Sequence, residues 1–171
     1  MVSSRLPAVV VAAAVAACSL DPVHDDAVRD LGGEAPGVRP GPTHRAGQPC
    51  LVCHDGSTAQ PAMSVAGTIY GAPDSPAGLA GVGVTLADAS GAIRTAVTNA
   101  AGNFYVEDSS WRPVFPLRVV VNYGAIPAPM STIIGRDGSC AACHVDPPSR
   151  ISPGRVYVAP SASLLPEAGS P

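Results

Sequence analysis

The chain has 171 residues, a formal net charge of −3, 13% charged residues and only 4% aromatic residues. That length suits one compact domain with tails, and the mild acidity, without any basic patch, gives nucleic acid nothing to bind. With 18 Gly and 19 Pro the sequence favours strands, turns and coil over long helices, and its few aromatic side chains leave little bulky apolar surface for an ordinary core.

Residues 1–17 read as an export signal. Arg5 is the lone cationic side chain, and the apolar run 6–17 after it is too short to span a bilayer. The run ends in Val15-Ala16-Ala17-Cys18, which resembles a bacterial lipoprotein signal. The resemblance implies that Cys18 is acylated and anchors the chain to a membrane. Ser19 after it implies the outer membrane of the bacterial cell envelope, with the protein facing the periplasm or the exterior. The alternative is cleavage after an Ala-x-Ala-like site, with Cys18 left as a free thiol. Five Cys are present and four belong to the paired motifs described below, so Cys18 is the odd one out and a lipid accounts for it. No later stretch is long and apolar enough to be a transmembrane helix.

Residues 18–43 have the composition of a flexible tether. Asp21, Asp25, Asp26 and Asp30 come first, then Gly32-Gly33 and the Gly- and Pro-rich residues 37–42, a stretch with too little apolar surface to order itself. The carboxylates read as a solvated segment or as a docking site for a basic redox partner.

Residues 44–64 form the first of two segments that carry the chemistry. Cys50-Leu-Val-Cys53-His54 is matched by Cys140-Ala-Ala-Cys143-His144, and each reads as a covalent haem c attachment site. Each Cys thiol can add across a haem vinyl group, and the following His is placed to ligate the iron. Only 4 of the 171 residues are His, so one would follow a given Cys-x-x-Cys by chance about 2% of the time; here both carry one. The alternatives are two redox disulfides, or one zinc site assembled from both halves with four thiolates or with three thiolates and an imidazole. Zinc would leave ligands of the two motifs unused.

A six-coordinate haem needs a second axial ligand, and the donors beyond His54 and His144 are His24, His44, Met63 and Met130. His24 falls in the tether as a solvated residue, and Met63 suits the start of the first strand. His44, six residues before Cys50, is the leading distal candidate, with Met130, ten residues before Cys140, the second. Met130 reads equally as a gap-filler of the core.

Residues 65–123 read as antiparallel β-structure. The run 65–70 is β-prone; Val82, Val84 and Leu86 alternate with smaller or polar residues, as do Ile93, Thr95 and Val97, then Phe104 and Val106, then Leu117, Val119, Val121 and Tyr123. Asp88-Ala-Ser-Gly91 and Asn99-Ala-Ala-Gly102 supply turns, and Pro113 and Pro116 fence the last strand. Five short strands with regular turns predict a small β-sandwich, and Arg155 to Val158 adds a candidate edge strand. The stretches Val65-Ala-Gly-Thr-Ile-Tyr70, Gly81-Val-Gly-Val-Thr-Leu86 and Thr98-Asn-Ala-Ala-Gly-Asn-Phe104 resemble the carboxypeptidase regulatory-like, or prealbumin-like, β-sandwich. That family is a structural or surface-binding module, and the resemblance implies no catalytic residues.

Residues 124–158 form the second haem segment, in which Arg136, Arg150 and Arg155 could pair with haem propionates. Residues 159–171 read as a disordered tail. The fold class expected is therefore mainly β, a small antiparallel sandwich flanked by two haem c-binding segments of coil and short helix. The whole arrangement resembles small dihaem c-type cytochrome-like lipoproteins of bacteria. It implies two covalent haem c groups, redox partner proteins and electron transfer rather than enzyme activity. A redox-sensing or surface-binding sandwich, and a small haem enzyme with one open coordination site, are the alternatives.

Overall fold

The computed structural model describes residues 21–165; the export signal, Cys18 and residues 166–171 lie outside the described residues. The chain separates at Gly32 into a short N-terminal unit and the body.

In the N-terminal unit, helix α1 spans Pro22–Asp30. The acidic composition marks this stretch as a tether, yet it carries local helix signals. Asp21 accepts the His24 N–H at 3.0 Å as N-cap, Pro22 occupies the first turn, and Arg29 pairs with Asp26 one turn back. None of its residues is buried, so capping and pairing support the helix where core packing does not.

The body contains β1 (Met63–Tyr70), β2 (Gly83–Ala87), β3 (Ile93–Val97), β4 (Asn103–Glu107), β5 (Arg118–Tyr123), β6 (Ile126–Pro129) and β7 (Val156–Tyr157). One sheet has the order β4-β1-β7 and the other β3-β2-β5-β6. All pairings are antiparallel except that of β1 with β7. The period-two alternation is obeyed: Val84 and Leu86 of β2 are fully buried, while Gly83, Thr85 and Ala87 between them are half-buried. Val65, Ile69, Phe104 and Val106 of the first sheet share one core with Val84, Leu86 and Val121 of the second. Trp111, Leu117 and Val158 extend it. The mainly β sandwich expected from the alternation is the observed fold.

Seven strands stand where five are plain in the sequence. The extra pair comes from the segment assigned to the second haem motif. β7 follows the candidate edge strand at Arg155 to Val158. β6 was hidden by Pro127 and Pro129, and it is tolerated because it is an edge strand, paired only with β5 through Asn122↔Pro127 and Val120↔Pro129. A proline there deprives the ladder of donors only where pairing ends. The start of the presumed tail is also built in: Ala159 is buried with its N–H on the Gly71 carbonyl at 3.0 Å, and Leu165 packs on the core.

Asp88 closes the turn between β2 and β3. Its Oδ1 accepts the Ser90 hydroxyl at 2.6 Å and the Ser90 and Ala92 N–H groups at 2.9 and 3.0 Å, and its Oδ2 accepts the Val114 N–H at 3.0 Å. The Ser90 hydroxyl above all, then the Val114 N–H, hold the carboxyl at about 2, below its ordinary 3.8. Because the folded value is depressed, the stability this group contributes is complete above about pH 4 and is lost as the pH falls toward about 2. Asp88→Asn is expected to flatten that acid limb in a profile of melting temperature against pH; a limb of unchanged steepness would assign it to other carboxylates.

β1 is the strand that positions the site. It is buried from Val65 to Tyr70, on both faces of its pleat, where a strand of a two-layer sandwich usually shows one face to water. β4 lines one edge. Along the other, β7 pairs at Ile69 and Tyr70, and Gly138-Ser139 pairs at Ala66, whose N–H donates to the Gly138 carbonyl at 3.0 Å. The chain between Ser139 and Val156, which holds the second motif, therefore leaves and rejoins the same edge of β1.

Candidate haem-binding site

The two Cys-x-x-Cys-His sequences fold into the same turn. Cys50–Val52 and Cys140–Ala142 are single 3₁₀ turns. In the first, the Cys53 and His54 N–H groups donate to the Cys50 carbonyl at 3.2 and 2.9 Å; in the second, Cys143 and His144 donate to the Cys140 carbonyl at the same two distances. Both turns pack against β1.

Each histidine is then oriented by a loop that returns to it. His54 is 8% exposed, with Nδ1 2.8 Å from the Pro61 carbonyl, and His144 Nδ1 is 2.8 Å from the Gly154 carbonyl. A carbonyl only accepts, so Nδ1 carries the proton in both rings and Nε2 keeps its lone pair for a metal. The loops are braced for this. Asp55 accepts the Ser57 and Thr58 N–H groups at 2.9 and 3.1 Å. The Ser152 hydroxyl donates to the Val145 carbonyl at 2.7 Å while accepting the Val145 and Gly154 N–H groups at 2.8 and 3.2 Å.

His44 is brought to His54. Their ring centroids are 6.0 Å apart with planes at 78°. His44 Nδ1 faces Glu34 Oε1 at 3.0 Å. A carboxylate is an acceptor, so Nδ1 is the donor in this ring too. The segment is pinned to the sandwich by main-chain bonds. The Asn103 amide donates to the His44 carbonyl at 2.8 Å, Thr68 Oγ1 accepts the Gly47 N–H at 2.8 Å, and the Thr68 hydroxyl donates to Asn103 Oδ1 at 2.7 Å. Gly47, at φ 82°, lies so close to Tyr70 that a Cβ there would sit 2.7 Å from the phenol oxygen.

Glu34 was not legible as part of a site. Burial alone would raise its carboxyl, but the His44 hydrogen bond and the Arg45 guanidinium outweigh burial and hold it below the usual carboxylate range. Arg45 Nε donates to the same Oε1 at 3.1 Å.

The second turn borders a cleft of about 330 Å³. Its lining includes Cys140 and His144, Gly47 and Pro49 from the approach to the first motif, and Tyr70 and Arg155. Arg155 lies 4.6 Å above the Tyr70 ring and pairs with Asp146 at 2.9 Å. Arg136 and Arg150 are exposed.

Cys50, Cys53, Cys140 and Cys143 are all unpaired thiols. Burial raises the Cys50 thiol, and burial together with the nearby Cys50 pushes Cys140 up to about 12. The donors do not gather for zinc: among the described residues no three His, Cys, Asp or Glu side chains converge as a metal site. What the geometry offers is two separate turns, each with two thiols and an imidazole presenting Nε2, side by side on one strand.

The remaining candidates are placed elsewhere. Met130 follows β6 at the edge of the other sheet, its N–H on the Val119 carbonyl at 3.0 Å, and it does not line the cleft. Met63 opens β1 and donates its N–H to the His54 carbonyl at 2.9 Å. His24 is on α1. Among the described residues no helix is long and apolar enough to cross a membrane. No protein-family model matches the chain, and no curated protein or solved structure matches it either.

Proposed function

We propose that this protein is a dihaem c-type cytochrome, an electron carrier anchored through a lipid at Cys18 to the envelope of a bacterial cell. The observation that carries the reading is the repeated turn: two Cys-x-x-Cys-His sequences, 86 positions apart from His54 to Cys140, adopt the same hydrogen-bonded geometry and leave the same ring nitrogen free. Cys50 and Cys53 would hold one haem covalently, with the imidazoles of His54 and His44 to bind its iron. Cys140 and Cys143 would hold the other, with His144 as proximal ligand. Haem iron supplies reversible one-electron chemistry when bound.

The chain's own residues contribute placement. β1 fixes both turns on one element, so the spacing between the two sites is set by a buried strand and not by a loop. The Pro61 and Gly154 carbonyls fix the tautomer and orientation of the proximal rings. Arg155, in the wall of the cleft, offers a cation to a propionate, and exchange of electrons is with redox partner proteins.

Replacing Cys50 and Cys53 together with Ala is expected to halve the covalent haem per chain, read by absorbance against protein mass. Replacing Cys140 and Cys143 is expected to do the same. Unchanged haem content in either double variant would remove that motif from the reading.

A further inference from the structure

The imidazoles of the three histidines at the site are not held alike. His54 and His144 donate to neutral main-chain carbonyls, whereas His44 donates to the Glu34 carboxylate. That carboxylate is itself fixed in place. Arg45 Nε donates to Oε1 at 3.1 Å while Arg45 Nη1 donates to Gln48 Oε1 at 2.8 Å, and Glu34 Oε2 is buried without a hydrogen-bond partner. Arg45 also takes a left-handed backbone at φ 50°, a strained conformation for a residue other than glycine. The strain lies next to His44, whose carbonyl is held by Asn103. A salt-bridged carboxylate, a strained neighbour and a pinned main chain all serve to hold one ring.

A carboxylate behind an imidazole does two things to a metal ligand. It fixes the ring's rotation, and it makes the far nitrogen a stronger donor than a carbonyl partner does. A stronger donor favours the more positive oxidation state. Resting on the reading that His44 and His54 hold one haem, we propose that Glu34 is a positioning residue that sets the reduction potential of that haem. Its charge lowers the potential by favouring Fe(III) in the one-electron exchange with a redox partner protein. On the other side, the ring of His144 leans on the neutral Gly154 carbonyl, so the two sites are tuned apart by what stands behind their ligands.

The test is a potentiometric titration of the full-length, haem-loaded protein, followed by absorbance, for the native chain, Glu34→Gln and Arg45→Gln. Gln keeps an acceptor oxygen at position 34 and removes the charge. Glu34→Gln is expected to move one of the two redox components about tenfold toward the reduced form, which is about 59 mV upward for a one-electron couple. The other component and the low-spin spectrum stay as they are. Arg45→Gln, which strips the opposing cation from the same carboxylate oxygen, is expected to move that component the other way. Both potentials unchanged in Glu34→Gln, or an unchanged or raised potential in Arg45→Gln, would overturn the role of Glu34. Those results leave the ligand assignment intact so long as His44→Ala alters the haem spectrum. An unaltered spectrum in His44→Ala would overturn the assignment beneath it instead.

Discussion

Replacing His44 with Ala is expected to add one carbon monoxide-reactive haem per chain relative to the native protein. The low-spin absorbance of the haem held by His54 should be lost with it. The expectation rests on three geometric facts: a centroid separation of 6.0 Å from His54, Nδ1 3.0 Å from Glu34 Oε1, and a main-chain carbonyl held by Asn103. Removing the imidazole opens one axial position without touching the thiols that would hold the porphyrin. Met130→Ala is the matched control, since Met130 follows β6 on the other sheet and is not part of the cleft. A native spectrum and native carbon monoxide binding in His44→Ala would move the search to Met130 or His24.

The largest effect on stability is expected from Gly138→Ala. A Cβ at Gly138 would stand 2.0 Å from the Ser64 carbonyl oxygen and 3.0 Å from Val65 Cα. Both are backbone of the strand that supports the site, so neither can swing aside as a side chain would. The strand pairing at Ala66, through the Gly138 carbonyl at 3.0 Å, must open to make room. Overpacking of this kind costs about 3 kcal/mol, and the second turn, which begins at the next residue but one, loses its fixed approach to β1. Urea denaturation measures the first effect and covalent haem content the second. Gly135→Ala, three residues earlier, meets nothing within 4 Å and should leave both near native values. Equal stabilities for the two variants would show that Gly138 does not dock the motif.

How much of this was legible in the sequence follows from the range of each interaction. The two Cys-x-x-Cys-His motifs were readable because all five residues of each are contiguous, and each closes a turn on its own first carbonyl. The strands were readable where side chains alternate, as in β2 and β5, and hairpin turns where Asp88 or Asn99 bonds its own neighbours. β6 was not, because its two prolines argue against a strand and only its place at the edge of the sheet reconciles them with pairing. α1 was obscured by a composition that reads as solvated, although Asp21-Pro22 is itself a start signal.

The site shows the same division. His44 stood out by its scarcity and its nearness to Cys50. Glu34 did not, since it lies ten residues before its partner in a stretch with the composition of a tether. Asn103 and Thr68 were read as parts of a turn and a strand, and only the fold brings them to the backbone of residues 44–47. That both motifs would meet on one strand could not be read from their separation in sequence. It depends on the chain rejoining the free edge of β1 twice, at Ser139 and again at Val156.

The measurement that bears most directly on the account is the mass of the denatured protein, expressed with haem c maturation machinery, taken alongside its reduced pyridine haemochrome spectrum. The account predicts two haem masses that survive denaturation and the spectrum of thioether-linked haem. A mass with no haem, whether the four thiols are found free, bridged or bound to zinc, would contradict it.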